Sequence, residues 1–144
     1  MILISHRGNL DGEVPERENH PEYIDEAIEL GFDVEIDLWG IEGMLFLGHD
    51  EPQYGITQHW LNERCNKLWI HCKNVEALEW LNMIGVFNYF WHEEDTATLT
   101  SKGYIWAYPG KQPIKNSIAV MPEIHNEETK YCKGICSDYI KRYK

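Results

Sequence analysis

The segment from Phe32 to Trp39 constrains this chain more than any other. Val34, Ile36 and Leu38 alternate there with Glu35 and Asp37. Residues two apart on a strand share a face. One face is therefore apolar and suited to packing under helices, and the other carries two carboxylates side by side. Two carboxylates on an interior face repel each other and lose hydration, which is costly unless something positive lies between them. A hard divalent cation is the simplest neutraliser.

The rest of the chain alternates strands and helices around this segment. Ile2 to Ser5 is a short apolar run ending at His6. Asn19-His20-Pro21-Glu22 reads as a helix start, with Asn19 as N-cap, Pro in the first turn and Glu three after the cap. Tyr23, Ala27, Ile28 and Leu30 continue at helical spacing, and Gly31 is the stop. Met44 to Leu47 is a short return strand. A helix is predicted over Thr57 to Cys65, a strand over Lys67 to Cys72, and a helix capped by Asn74 and closed by Gly85. Further strands are predicted at Val86 to Trp91, Tyr104 to Tyr108, Ser117 to Met121 and Gly134 to Ser137, with a helix around Glu127 to Lys133 before the last.

Strand-helix-strand repetition predicts parallel strands with right-handed crossovers. The chain has 144 residues, one domain by length, whereas an eight-unit barrel takes about 250. The expected fold is an α/β, compact TIM-barrel-like (β/α) barrel of about seven strands over residues 1–144. It is either pared down, with loops replacing helices after Trp91 and Pro109, or left open as a sheet.

Hydrophobic content of 43%, with six Trp and eight Tyr, is enough to fill a core. A formal charge of −11 argues against nucleic acid and against an anionic membrane surface as partner. No apolar stretch approaches the roughly 20 residues of a membrane span, and Met1-Ile2-Leu3-Ile4 follows no basic leader. The expected address is cytoplasmic, with no stable membrane anchor. Cys65, Cys72, Cys132 and Cys136 form no Cys-x-x-Cys pair and are expected as reduced thiols.

Residues suited to chemistry stand at strand ends. His6 and His49 offer imidazoles, which can serve as acid and base. Arg7, beside Gly8, offers a planar fork that suits phosphate. His71 and Lys73 share a face at the end of their strand, Lys73 as a fixed positive charge for a phosphate oxygen and His71 as a further metal ligand. His92, Glu123 and Asp138 also follow strand ends and are candidate lining residues. His20, His59 and His125 are weaker candidates. Carboxylate oxygens favour Mg²⁺ or Ca²⁺, and ligation by His71 would move the balance toward Mn²⁺ or Zn²⁺.

In order and spacing, these motifs resemble the glycerophosphodiester phosphodiesterase family. The match runs through His6-Arg7-Gly8, Glu18-Asn19, Gly31, Asp33 to Asp37, Gly48-His49-Asp50 and the strand ending in Lys73, with a weaker echo in Gly134 to Asp138. The first 75 residues match well and the remainder loosely. The resemblance implies a TIM-type barrel, a metal on Glu35 and Asp37, and acid-base roles for His6 and His49. It also implies a small-molecule phosphodiester substrate, a glycerophosphodiester or lipid head group. Departures are His71 where the family has a Glu ligand, Arg17 where it has Pro, and the short chain. A lyase giving a cyclic phosphate and a non-catalytic polyol-phosphate binding module are the alternative expectations.

Overall fold

The computed structural model describes every residue from Met1 to Lys144. In chain order the elements are β1 (Ile2–His6), α1 (Pro21–Glu29), β2 (Asp33–Ile41), β3 (Met44–Leu47), β4 (Tyr54–Ile56) and α2 (Gln58–Glu63). They continue with β5 (Leu68–Cys72), α3 (Val75–Ile84), β6 (Asn88–Trp91), β7 (Ala97–Leu99), β8 (Ile105–Ala107), β9 (Ser117–Val120) and β10 (Gly134–Ser137). Two 3-10 turns, Pro122–Ile124 and Ile140–Tyr143, flank β10.

All ten strands belong to one sheet. Its parallel strands run in the order β6-β5-β2-β1-β10-β9-β8. The first and last strands are neighbours, with Ile2 beside Gly134 and Ile4 beside Cys136. A Cβ on Gly134 would stand 2.7 Å from the Ile2 carbonyl oxygen, so only glycine lets the two backbones meet there. Past the end of β1, β2 pairs with β3 through a Glu42-Gly43 turn, both residues at positive φ, the geometry of a tight hairpin. The sheet curls. Its seam is not a ladder: β7 lies antiparallel on β8 and reaches β6 through Ser101 N–H to Tyr89 O (2.8 Å) and the Thr98 hydroxyl to Trp91 O (3.0 Å).

The period-two pattern sorts the side chains into two layers. Val34, Ile36 and Leu38 of β2 pack outward against Ile24 and Ala27 of α1, Leu61 of α2, and Ala77 and Leu81 of α3. Inside the curl, Ile4, Trp69, Phe90, Trp106, Ile118, Val120 and Cys136 form a second cluster drawn from six strands. The C-terminal 3-10 turn inserts Ile140 against Phe32 and Ile135 on the outer face of β1 and β10, where no helix lies.

Three expectations need correction. Only three α-helices form, all before β6, so the structure is a mixed α/β half-barrel rather than a barrel with alternating helices. After Trp91 the strands are joined by loops and one 3-10 turn. The segment from Glu127 to Lys133 is not helical: Asn126 takes φ +50, and the Lys133 N–H is drawn to the Ser117 carbonyl at 2.7 Å, pulling the chain into β10. The N-cap of α1 is His20, whose Nδ1 accepts from Glu22 N–H at 3.2 Å; Asn19 is committed elsewhere. The short strands β4 and β7 were not legible in the sequence.

Asn74 caps α3 as expected, accepting from Ala77 N–H at 3.1 Å. It also accepts from Gly40 N–H (3.1 Å) and donates to Gly40 O (2.7 Å), tying α3 to buried backbone on β2. Losing the cap costs about 1 kcal/mol, and stranding the buried Gly40 groups adds about 1–2 kcal/mol. Asn74→Ala should therefore lower the unfolding midpoint by roughly 5–10 °C in a thermal melt. An unchanged midpoint would show that Asn74 does not tie the helix to the sheet.

Candidate metal centre

Because the strands around the curl are parallel, their C-terminal ends gather on one rim. β1, β5, β6, β8 and β10 each carry a polar residue at or just past their end, two positions after a core residue: His6 after Ile4, His71 after Trp69, His92 after Phe90, Tyr108 after Trp106 and Asp138 after Cys136; β2 places Asp37 two after the buried Glu35. A polar layer therefore sits directly on the apolar one. The registers His6 beside Glu35, and Asp37 beside His71, bring the two layers together on β1, β2 and β5.

At the centre lies Asp37, fully buried. Asn19 clamps it twice: Nδ2 donates to Oδ2 at 2.8 Å, and Oδ1 accepts the Asp37 N–H at 2.9 Å. Arg7 Nε lies 3.2 Å from Oδ2, His49 Nδ1 3.5 Å from Oδ2 and His71 Nδ1 3.1 Å from Oδ1. Burial alone would raise the Asp37 pKa. The close approach of the His49 and His71 imidazoles, together with the Arg7 charge, instead holds it well below the usual carboxylate range. Glu35, with 3% exposure, is pushed the other way, first by burial and then by the charge of Asp37.

Glu35, Asp37 and His71 each offer a ligand atom, and these atoms lie within 4.8 Å of one another. Glu35 Oε2 and Asp37 Oδ1 are buried and have no aligned hydrogen-bond partner. The pair of carboxylates is faced by a single guanidinium, that of Arg7. Two orphaned carboxylate oxygens beside an imidazole fit a divalent cation, which would satisfy both oxygens and relieve their repulsion.

The flanking groups are held as firmly. His6 Nδ1 donates to Asp138 Oδ1 at 2.7 Å, and its Nε2 lies 3.8 Å from Glu35 Oε2. Burial works to lower the His6 pKa, but the hydrogen bond to Asp138 and the Glu35 charge override it and raise it. Asn9 Nδ2 donates to both Asp138 and Glu18 at 2.8 Å, and Glu18 receives Arg7 Nη1 at 3.2 Å. Arg7 takes φ +55, and its Nη2 lies 3.4 Å from His49 Nε2. Its fork is thus spent on Asp37, Glu18 and His49. Gly48 aims His49: a Cβ there would stand 2.0 Å from the Glu51 carbonyl oxygen.

His6, Arg7, Glu35, His49, His71 and His92 all line one cavity of about 200 Å³, floored by Phe90, Trp106 and Val120. A larger groove of about 380 Å³, beside Met44, Phe46 and Trp80, has no titratable side chain on its walls. Asp138 supports His6 from behind. Lys73 follows β5 on the same rim, its N–H on Leu38 O at 2.9 Å, but neither lines the cavity nor forms an ion pair; its charge is felt at His92. Glu123 stands apart, accepting from Ser137 Oγ (2.7 Å) and Tyr143 OH (3.1 Å). His20, His59 and His125 lie away from the cavity. Sequence reasoning missed Asn9, Asn19 as the Asp37 clamp, and Tyr108. The same apolar-x-polar ending that marks His71 and His92 was there to find Tyr108.

No family model, curated protein or solved structure matches this chain. No helix is long and apolar enough to cross a membrane.

A carboxyl whose pKa is raised by folding destabilises the folded state at pH values above its unfolded pKa. Glu35→Gln should therefore leave the metal-free protein as stable as the parent, or more so. Saturating Mg²⁺, Ca²⁺, Mn²⁺ or Zn²⁺ should stabilise the parent, by about 2.7 kcal/mol at a hundredfold excess over Kd, and should lose that effect in Glu35→Gln. Thermal melts with and without each ion decide it. A parent indifferent to all four ions would remove the metal from this site.

Proposed function

We propose that this chain is a metal-dependent phosphodiesterase resembling the glycerophosphodiester phosphodiesterases, acting on a small phosphodiester such as a glycerophosphodiester. The observation that carries the reading is the Glu35–Asp37–His71 group with its two orphaned carboxylate oxygens, flanked in one cavity by two independently held histidines. Glu35, Asp37 and His71 would hold the ion, which when bound draws charge off the phosphoryl oxygens. Mg²⁺ or Ca²⁺ suits the carboxylates, and the imidazole admits Mn²⁺ or Zn²⁺.

The protein's own groups handle the protons. Asp138 keeps the Nδ1–H of His6 turned toward itself, which leaves Nε2 on the cavity side as the exchanging atom. A raised pKa suits His6 to giving its proton to the departing alcohol. His49 then takes the proton of the attacking oxygen. Arg7 orients His49 and Asp37 and adds positive charge at the cavity wall, and Lys73 contributes field from the rim. A hydroxyl of the substrate in place of water as the attacking oxygen would give the lyase outcome.

Turnover of glycerophosphodiesters with each of the four ions tests this reading. His6→Ala and His49→Ala should each lose roughly 10²–10⁴-fold in rate while remaining folded. Their combined loss should fall well short of additive, because neither histidine completes the proton transfer alone. A folded parent that binds glycerol phosphate but turns over no diester with any ion would overturn the enzyme reading in favour of a polyol-phosphate binding module.

A further inference from the structure

Among the polar groups on the rim, Tyr108 is the one hydroxyl, and neither the metal group nor the proton transfers use it. Tyr108 lines the cavity, and its hydroxyl is buried with no hydrogen-bond partner. Leaving a buried hydroxyl unpaired is destabilising, a cost a purely packing residue would avoid as phenylalanine. The ring is fixed rather than loose. It stacks on His92 with centroids 3.6 Å apart and planes at 22°, and its own N–H donates to Thr96 O at 3.2 Å. Burial, and after it the charge of Glu35, push its pKa up, so the phenol keeps its proton and presents a donor.

The space in front of it is small. At about 200 Å³ the cavity falls below the roughly 300–1,000 Å³ of pockets for drug-sized ligands. It has room for a phosphate and an alcohol of a few carbons. Beneath the rim the floor is Phe90, Trp106 and Val120, where the indole N–H of Trp106 is the one polar side-chain group. A hydroxyl on a bound alcohol would find Tyr108 as a fixed neutral partner.

We propose that Tyr108 is the specificity residue of the cavity: its O–H hydrogen-bonds a hydroxyl on the short carbon chain attached to phosphorus, so that the site takes a polyol phosphate in preference to an alkyl phosphate of the same size. A site built to bond a hydroxyl rejects the analogue that lacks it, because its own polar group is then left unpaired. The inference rests on the phosphodiester reading only for the phosphate; hydroxyl recognition is read from binding and needs no turnover.

The test is calorimetric titration of the parent and of Tyr108→Phe with glycerol 3-phosphate and with propyl phosphate, in Mg²⁺. The parent should prefer glycerol 3-phosphate by about tenfold, the worth of one hydrogen bond of roughly 1.4 kcal/mol. In Tyr108→Phe, which keeps the ring on His92, the preference should nearly vanish while propyl phosphate binds as before. A parent that binds both equally, or neither, overturns the proposal without recourse to the variant. Equal weakening of both ligands in Tyr108→Phe shows a merely structural role and overturns it as well. Diester turnover on the same samples separates the two readings. Hydroxyl preference without turnover sinks the phosphodiesterase alone, and turnover without preference sinks the role of Tyr108 alone.

Discussion

The buried negative charge of Asp37 is the interaction on which the rest depends. Its carboxylate has no exposure, and an isolated ion there would be driven to protonate. The fold answers with an amide clamp from Asn19, a guanidinium from Arg7 and imidazoles from His49 and His71. These come from four separate stretches of chain. Arg7 and Asn19 both take left-handed backbone to reach it, a strain of order 1–2 kcal/mol each that such an over-determined site can hold. Glu35, two residues back on β2, receives no such support, and one oxygen of each carboxylate, Glu35 Oε2 and Asp37 Oδ1, is left without an aligned partner. Those two oxygens give the site its capacity for a cation.

The layering of the curl explains how so short a chain builds such a site. β1, β5, β6, β8 and β10 each contribute one inward apolar residue and, two positions on, one polar residue, while β2 places carboxylates at both levels. The apolar layer of Ile4, Trp69, Phe90, Trp106 and their neighbours excludes water from below. That lowers the local dielectric and strengthens every charge interaction above it. Helices cover only the outer face of the first half of the sheet. Over the second half, Ala107, Ser117 and Ala119 are small and buried, and Gln112 on the preceding loop reaches Ser117 Oγ at 3.0 Å. Small residues on that face make a loop sufficient cover, which is how helices can be dispensed with after β6.

Legibility in the sequence followed the range of the interactions. The parallel strands, the three helices and the shared face of Glu35 and Asp37 all follow from period-two and period-3.6 patterns within a dozen residues, with only boundary shifts of one or two positions. The capping of α3 by Asn74 was equally local. Asn19 was misread as a helix cap because its residue type and spacing suit one; only the approach of β2 shows its side chain spent on Asp37. The true place of Asp138 depends on pairing across the whole chain, since β10 must lie beside β1 before Asp138 can meet His6 at 2.7 Å.

By itself, then, the amino-acid sequence determined which side chains share a face and which stand at strand ends, because those relations are set by backbone repeat alone. The tertiary structure decided which of them meet. It turned Arg7 inward onto Asp37, Glu18 and His49, left Lys73 on the rim, drew Glu123 away to Ser137 and Tyr143, and left the Tyr108 hydroxyl without a partner. Those outcomes depend on strand order, curl and burial. Strand order and curl arise only when residues more than a hundred positions apart pair, and no local pattern encodes them.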